Sequence, residues 1–305
     1  MNNDLKTEEM CENWLIQQKA KIKKSTYANY CYLIRKLIEP ELGKIDVMKL
    51  NKAYLEQLVL DLQEREYADS TIYSALRVLK TILRKHAVQN DNYEEMIHHC
   101  YLTVHRLESK VLLEDESACI KEYLLQKNDT YALGILLCRS TGIRIGELCA
   151  LQWKDIDLEK RILTVSKTVQ RIQLHEADRK TKLIITEPKS ESSKRIIPIP
   201  EAVVAFLKEM RENDEDFVVS GTSRVIEPRT MQYRFAKILK NVNLPSVHFH
   251  ALRHMFASNC IRLGFDIKAL SEILGHSSVE ITLNRYVHSS FEQKTEYMNR
   301  ITICV

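Results

Sequence analysis

Near its C-terminal end the chain reads FHALRHMFASNCIRLGFDIKALSEILGHSSVEITLNRYVH over residues 249–288, and this stretch collects side chains able to handle a phosphate. His250 and Arg253 stand one helical turn apart. Positions i and i+3 share a helix face, so both can point at one ligand. A guanidinium offers donors in a fixed plane, and an imidazole gives or takes a proton near neutral pH; the pair suits a phosphate ester. His276 follows a Leu-Gly pair, and Tyr286 comes ten residues after it.

Those side chains need elements to hold them. Ile267, Leu270, Ile273 and Leu274 recur at helical spacing, and Gly275 stands where a helix usually stops, which sets His276 at a defined helix end. Ser277 and Glu280 have capping-box spacing and open a further short helix through Ile281 and Leu283 to Tyr286. Upstream, Gly142 ends one helix and Arg144 starts the next, with Glu147 a turn on. By itself Arg–x–x–Glu is an everyday surface ion pair. Residues 161–169 and 183–187 alternate like strands. A polar turn after Pro188 leads from the second of these into Ile-Ile-Pro-Ile-Pro, which predicts a β-hairpin whose prolines keep the return strand at an edge. The segments 112–125, 131–139, 200–211 and 230–241 read as helices.

Residues 1–105 read as helical throughout. Tyr27, Tyr30, Leu33, Ile34, Leu37 and Ile38 keep a helical rhythm up to Pro40, with Ser25 or Thr26 as the expected N-cap. Segments 49–66 and 70–86 follow. Lys23, Lys24 and Thr26 concentrate charge and donors at a helix start, either as a phosphate contact or as a solvated loop. Ser70, Tyr73 and Arg77 offer a second candidate contact face. Two histidine clusters have residue types that can bind a metal, but neither has the pattern of a site. His98, His99, Cys100 and His105 fit no zinc spacing. His248, His250 and His254 lack an acidic partner, and Arg253 among them repels a cation.

Bulk properties bound the function without choosing it. The chain has 305 residues, 45% hydrophobic and 28% charged, ordinary for a globular protein of two domains. No apolar run is long enough to cross a bilayer, and MNNDLKTEEMCENW lacks a basic-then-apolar leader, so the cytoplasm is the expected location. The 8 cysteines are scattered with no CxxC pair, the pattern of reduced, mostly buried thiols. Residues 1–105 hold 15 basic and 15 acidic side chains, leaving 30 against 26 in the remainder. Overall charge therefore permits nucleic-acid binding without arguing for it, and a binding face must be a local concentration.

The segments HALRH, LGHSSVEITLNRYVH and TGIRIGELCALQWKDID (residues 141–157) together resemble the tyrosine recombinases, also called the phage integrase family. The resemblance covers most of the chain. It implies a mainly α fold with a small β-sheet: a helical, SAM-like core-binding domain at 1–105, a linker at 106–111, an α+β catalytic domain at 112–290 and a tail at 291–305. That tail would pack on a neighbouring protomer or dock on its own chain. The start leaves little room for the extra arm-binding domain of some integrases.

The implied site has Arg144 and Arg253 clamping the scissile phosphate, with Glu147 orienting Arg144. His250 is its general base, His276 a hydrogen-bond partner of the phosphate, and Tyr286 the nucleophile. Lys189, at the tip of the hairpin, is the implied general acid; Lys194 is its rival and otherwise a DNA contact. The implied activity is site-specific cleavage and rejoining of DNA through a 3′-phosphotyrosyl intermediate, in the integration, excision or inversion of a mobile element. Bond energy is retained in such a reaction, so no ATP, metal or other cofactor is expected, and the sequence holds no GxxxxGK[ST] phosphate loop. The implied partners are double-stranded DNA recombination sites, a homotetramer on two of them, and accessory DNA-bending proteins. Two alternatives stay open. A type IB topoisomerase shares the chemistry but relaxes DNA as a monomer, and a non-catalytic DNA-binding protein on the same fold needs neither Tyr286 nor Lys189.

Overall fold

The computed structural model describes residues 5–86, 114–127, 129–173, 181–188 and 191–286, together with 295, 298 and 299. The chain divides into two compact units, Met1–Glu108 with Ile172–Lys182, and Ser109–Arg171 with Leu183–Val305. The fold is mainly helical with small sheets, as the sequence implies. The expected linker at 106–111, the tail apart from residues 295, 298 and 299, Lys189 and the cluster His98, His99, Cys100 and His105 lie outside the described residues.

In the first unit α1 (Thr7–Lys19), α2 (Lys24–Leu33), α3 (Glu39–Leu42), α4 (Lys52–Glu64) and α5 (Asp69–His86) surround one apolar core. Met10, Trp14 and Leu15 of α1 meet Leu55, Leu58 and Leu62 of α4 and Ile72, Leu76, Leu79 and Leu83 of α5 in that core. The rhythm up to Pro40 is not one continuous α-helix. A π-turn over Ile34–Ile38 separates α2 from α3, and Pro40 sits in the first turn of α3. Proline has no N–H to donate and its ring crowds the carbonyl four residues back, so the helix widens just before it. The expected cap also moves. Helix α2 starts at Lys24 with Lys23 in the N-cap position and no side-chain cap, so neither Ser25 nor Thr26 caps it. On α5 the buried repeat leaves Ser70, Tyr73 and Arg77 exposed on the opposite face.

The second unit is built on α7 (Thr130–Thr141), preceded by α6 (Glu114–Leu125) and followed by α8 (Ile145–Ala150). Helix α7 is buried from Ala132 through Cys138, and Asp129 caps it by accepting the Ala132 N–H at 2.7 Å. Strands β1 (Ile156–Asp157), β2 (Ile162–Val165), β3 (Thr168–Gln173), β4 (Thr181–Thr186) and β5 (Arg195–Pro198) form two sheets. One is antiparallel in the order β1-β2-β5, and the other pairs β3 with β4.

This corrects the expected hairpin. Strands β4 and β5, consecutive in the chain, do not pair as a hairpin; β5 pairs with β2, setting Ile197 opposite Leu163 and Pro198 opposite Ile162. Leu163 and Ile197 are both core residues, and pairing there buries them together while Ile196 faces outward. The strand expected at 161–169 is accordingly split between the two sheets. Pro198 does lie on an edge strand, where the missing donor costs least, whereas Pro200 lies beyond it at the N-cap of the next helix.

Helices α9 (Glu201–Met210), α10 (Pro228–Asn241), α11 (His250–Arg262), α12 (Ile267–Leu274) and α13 (Val279–Tyr286) complete the unit. Helix α13 begins at Val279, with the Ile281 N–H donating to Ser278 O at 3.3 Å. The start is therefore one residue later than the Ser277–Glu280 spacing implies. Gly142 and Gly275 end α7 and α12 in the left-handed region, φ 66° and 65°. Among the described cysteines, 11, 31, 138, 149 and 260 are buried free thiols and Cys119 is exposed.

Candidate active site

The site is built at the C-terminal end of α12. Gly275 N–H donates to Glu272 O at 3.0 Å and His276 N–H to Ser271 O at 3.1 Å, which closes the helix in a Schellman turn. Such an ending leaves the last carbonyls in need of donors. Three guanidiniums supply them: Arg195 Nε donates to Ile273 O at 2.6 Å, Arg253 Nη2 to Leu274 O at 2.7 Å, and Arg144 Nη2 to Gly275 O at 2.7 Å. Positive charge at this end also complements the helix dipole. Arg253 Nη1 donates to Gly142 O at 2.8 Å, so one side chain ties the two glycine-ended helices together.

Glu147 lies buried beneath this cluster. Its carboxylate accepts from Arg144 Nη1 at 2.8 Å and from the Arg144 backbone N–H at 3.1 Å. From the other side it accepts from Arg195 Nη2 at 2.9 Å and Nη1 at 3.2 Å. Burial alone would raise the Glu147 carboxyl, but the Arg195 and Arg144 guanidiniums together hold it below the ordinary carboxylate range. Three arginines against one carboxylate leave the cluster net positive. Burial first, then the neighbouring charges of Arg144 and Arg195, bring Arg253 down to about 10. Arg253 is 1% exposed, whereas the Arg144 side chain remains 34% exposed and uses two of its five N–H groups on the protein's side chains and carbonyls.

Tyr286 ends α13, and its ring packs on the small cluster of Ala257, Cys260, Leu270 and Leu274. Its hydroxyl is buried. The Tyr286 ring stacks on His276 and also contacts His254, centroids 5.4 Å apart. His254 in turn meets His250 edge-on at 4.7 Å. His276 Nδ1 shares a hydrogen bond of 2.8 Å with Thr282 Oγ1, and Thr282 is fully buried.

The structure thus brings Arg144, Glu147, Arg253, His276 and Tyr286 into one site, with the exposed His250 one ring contact removed. Lys189 lies outside the described residues, and Lys194 pairs with Glu187 at 3.0 Å on the surface. Lys23, Lys24, Ser70, Tyr73 and Arg77 are exposed on the first unit, and Thr26 is half-buried there.

Sequence reasoning missed three features. Arg195 carries a signal in strand parity: two residues before the buried Ile197, it faces the same inner side. His254 is one turn after His250 on α11. Helix α10, PRTMQYRFAKILKN, holds Arg229, Arg234, Lys237 and Lys240 with no acid, all exposed beside Tyr233.

A model of the phage integrase family matches residues 88–293. The chain belongs to the phage integrase family. Within this family, a model of the phage integrase N-terminal SAM-like domain matches residues 7–63. A XerC-like tyrosine recombinase of Caldanaerobacter subterraneus is 32% identical over 207 residues, 62% of this chain and 52% of that protein. The chain therefore spans about half the length of that relative. The transposase from transposon Tn916 of Enterococcus faecalis is 26% identical over 309 residues, covering 93% of this chain and 74% of that one. Among solved structures, the Tn1549 transposon integrase in complex with circular intermediate DNA shares the fold with a TM-score of 0.77 at 24% identity, over 95% of this chain and 99% of that one. Among the described residues of this integrase-family chain, no helix is long and apolar enough to cross a membrane.

Proposed function

We propose that this chain is a site-specific recombinase that cuts DNA with Tyr286 and rejoins it without hydrolysis. The observation that carries the reading is the net-positive guanidinium cluster at the end of α12 with the Tyr286 ring stacked on His276, the residue after Gly275. A phosphodiester carries one negative charge, and the trigonal-bipyramidal transition state gathers more on its non-bridging oxygens. Donors fixed beforehand stabilise that state, and Arg144 and Arg253 would each contribute about 3–4 kcal/mol.

In the cutting step the bond from Tyr286 Oη to phosphorus forms and the bond to the 5′-oxygen breaks. A tyrosine hydroxyl ordinarily titrates near pH 10, so its proton must leave during attack, and His250 is the proposed base. Lys189 gives the departing 5′-oxygen its proton, and His276 hydrogen-bonds a phosphate oxygen. Glu147 holds Arg144 in place. A 5′-hydroxyl from another strand then reverses the step, so the number of phosphoester bonds is conserved and no ATP is needed.

Exchange between two duplexes requires four strand cuts, and each chain brings one Tyr286, so the working assembly is a homotetramer on two sites. Residues 1–105 form the core-binding half, with Lys23, Lys24, Thr26, Ser70, Tyr73 and Arg77 facing the DNA backbone; Lys194 and the basic face of α10 do the same from the catalytic half. The Tn916 and Tn1549 relatives support integration and excision of a mobile element as the biological task.

A nicked duplex that traps the cleaved strand tests the reading. The protein should form a denaturation-resistant adduct on its site, and Tyr286→Phe should bind the same DNA without one; an adduct with that variant rejects Tyr286. Exchange between two sites supports recombination, whereas relaxation indifferent to sequence would make the chain a topoisomerase.

A further inference from the structure

The geometry points to Arg195 as a positioning residue of strand cleavage: through the Glu147 carboxylate it fixes the guanidinium of Arg144, and through Ile273 O it fixes the helix end that carries His276. This inference rests on the proposed use of Tyr286 and Arg144 at a scissile phosphate.

Arg195 is itself in no position to serve as a phosphate clamp. Its side chain is 6% exposed, and its donors are committed inward: Nε to Ile273 O, Nη2 to Glu147, and Nη1 shared between Glu147 and Ser193 O at 3.0 Å. A guanidinium has five N–H groups in one plane, so a side chain engaged on three sides leaves no fork for a ligand. Arg144 is the opposite case, one-third exposed with donors to spare.

The Glu147 carboxylate joins the two. Arg195 grips both oxygens in a two-point contact, while one oxygen also accepts from Arg144 Nη1 and the other from the Arg144 backbone N–H, so Arg195 fixes the carboxylate on which the Arg144 guanidinium docks. The contact with Ile273 O acts on the other edge of Arg144, because Arg144 also binds Gly275 O two residues on. Packing is close enough to transmit this. A Cβ on Gly275 would stand 2.9 Å from Arg195 Cδ and 3.0 Å from Ser192 O. Arg195 also opens β5 two residues after Ser193, the last residue of a 3₁₀ turn, whose carbonyl it binds. One guanidinium therefore ties together the two chain segments that bear Arg144 and His276.

Lysine at this position keeps the charge but cannot form the planar two-point contact with Glu147. The test compares single-turnover cleavage at saturating nicked DNA, DNA affinity and thermal melting for wild type, Arg195→Lys, Glu147→Gln, Arg144→Ala and the double variant of Arg195→Lys with Arg144→Ala. Each is measured on an ordinary scissile phosphate and on a methylphosphonate, which lacks the charge that Arg144 serves. Arg195→Lys should cleave about 10- to 100-fold more slowly, the scale of a misplaced reacting group. Its DNA affinity should stay within about twofold of wild type, as expected for an interaction made only in the transition state. The loss should shrink on the methylphosphonate, and the double variant should be little worse than Arg144→Ala alone. Glu147→Gln, which interrupts the same bridge, should behave alike.

Wild-type rates in Arg195→Lys overturn the inference, as do equal losses on both substrates or losses that multiply in the double variant. Failure of Arg195→Lys to melt cooperatively, with full cleavage by Glu147→Gln, reduces Arg195 to a structural part and also overturns it. Absence of any adduct with wild type, or an adduct with Tyr286→Phe, rejects the function reading instead.

Discussion

The ring of Tyr286 lies parallel to that of His276, with planes 5° apart and centroids 6.3 Å apart. His276 is in turn held by Thr282, on the same short helix that ends in Tyr286. Helix α13 therefore sets the Tyr286 ring against His276 of its own chain. On the proposed function, the expected outcome is cleavage in cis. Tyr286→Phe, expected to form no adduct, and Arg144→Ala, expected to form it slowly, should give no faster adduct formation when mixed on a trapping substrate. Faster adduct formation in the mixture would mean that one subunit lends its tyrosine to another.

Arg144 and Arg253 should fail differently when removed. Arg144 is partly exposed and points donors outward, so Arg144→Ala should lose about 100- to 1,000-fold in cleavage with little change in melting temperature. Arg253 is buried and satisfies both Gly142 O and Leu274 O. Its removal leaves two buried carbonyls without those donors, at about 1–3 kcal/mol each. Arg253→Ala should therefore lose rate and stability together. Calorimetry beside single-turnover assays separates the two; equal melting temperatures for both variants would contradict the assignment.

The helices and their glycine stops were legible because local signals decide them: apolar spacing marks α12, and left-handed φ at Gly142 and Gly275 fits the residue that adopts it most easily. Partner choice between strands was not. Whether β5 pairs with β4 or β2 depends on which pairing buries Ile197 against Leu163, a contact between residues far apart in sequence. The same limit hid Arg195. Its parity placed it facing inward, but Glu147 and Ile273, the groups it meets, lie 48 and 78 positions away. In the first unit a single proline reshaped a long helical pattern that apolar rhythm alone reads as continuous.

Glu147 gives the pH dependence a sign. Its folded carboxyl titrates below the ordinary value, so its ion pairs stabilise the fold above the unfolded pKa and that contribution is lost as pH falls through the lower, folded one. Glu147→Gln should melt well below wild type at pH 7, because Arg195 and Arg144 lose their counter-charge. The gap should begin to narrow as pH drops below about 4.5, where the unfolded carboxyl takes up its proton, and be smallest below the lower folded value, where wild type loses the same charge. Melting curves of both proteins between neutral and acid pH check this. A gap that is constant or widens toward acid pH would remove the ion pairs as its cause.

The basic face of α10 predicts a salt signature. Lys237 and Lys240 are exposed on a helix without a single acid, so against a duplex each would displace a condensed counterion from the phosphate backbone. Affinity then falls with salt along a slope set by the number of phosphates engaged, and each lysine removed should flatten it by about 0.9 in log–log terms. Lys237→Ala and Lys240→Ala should weaken specific and non-specific duplexes alike, because a backbone contact carries no base information. Cleavage of DNA already bound should be unchanged, since neither lysine touches the arginine cluster. Titrations across a salt series measure the slope, and an unaltered slope in the double variant would take α10 off the DNA.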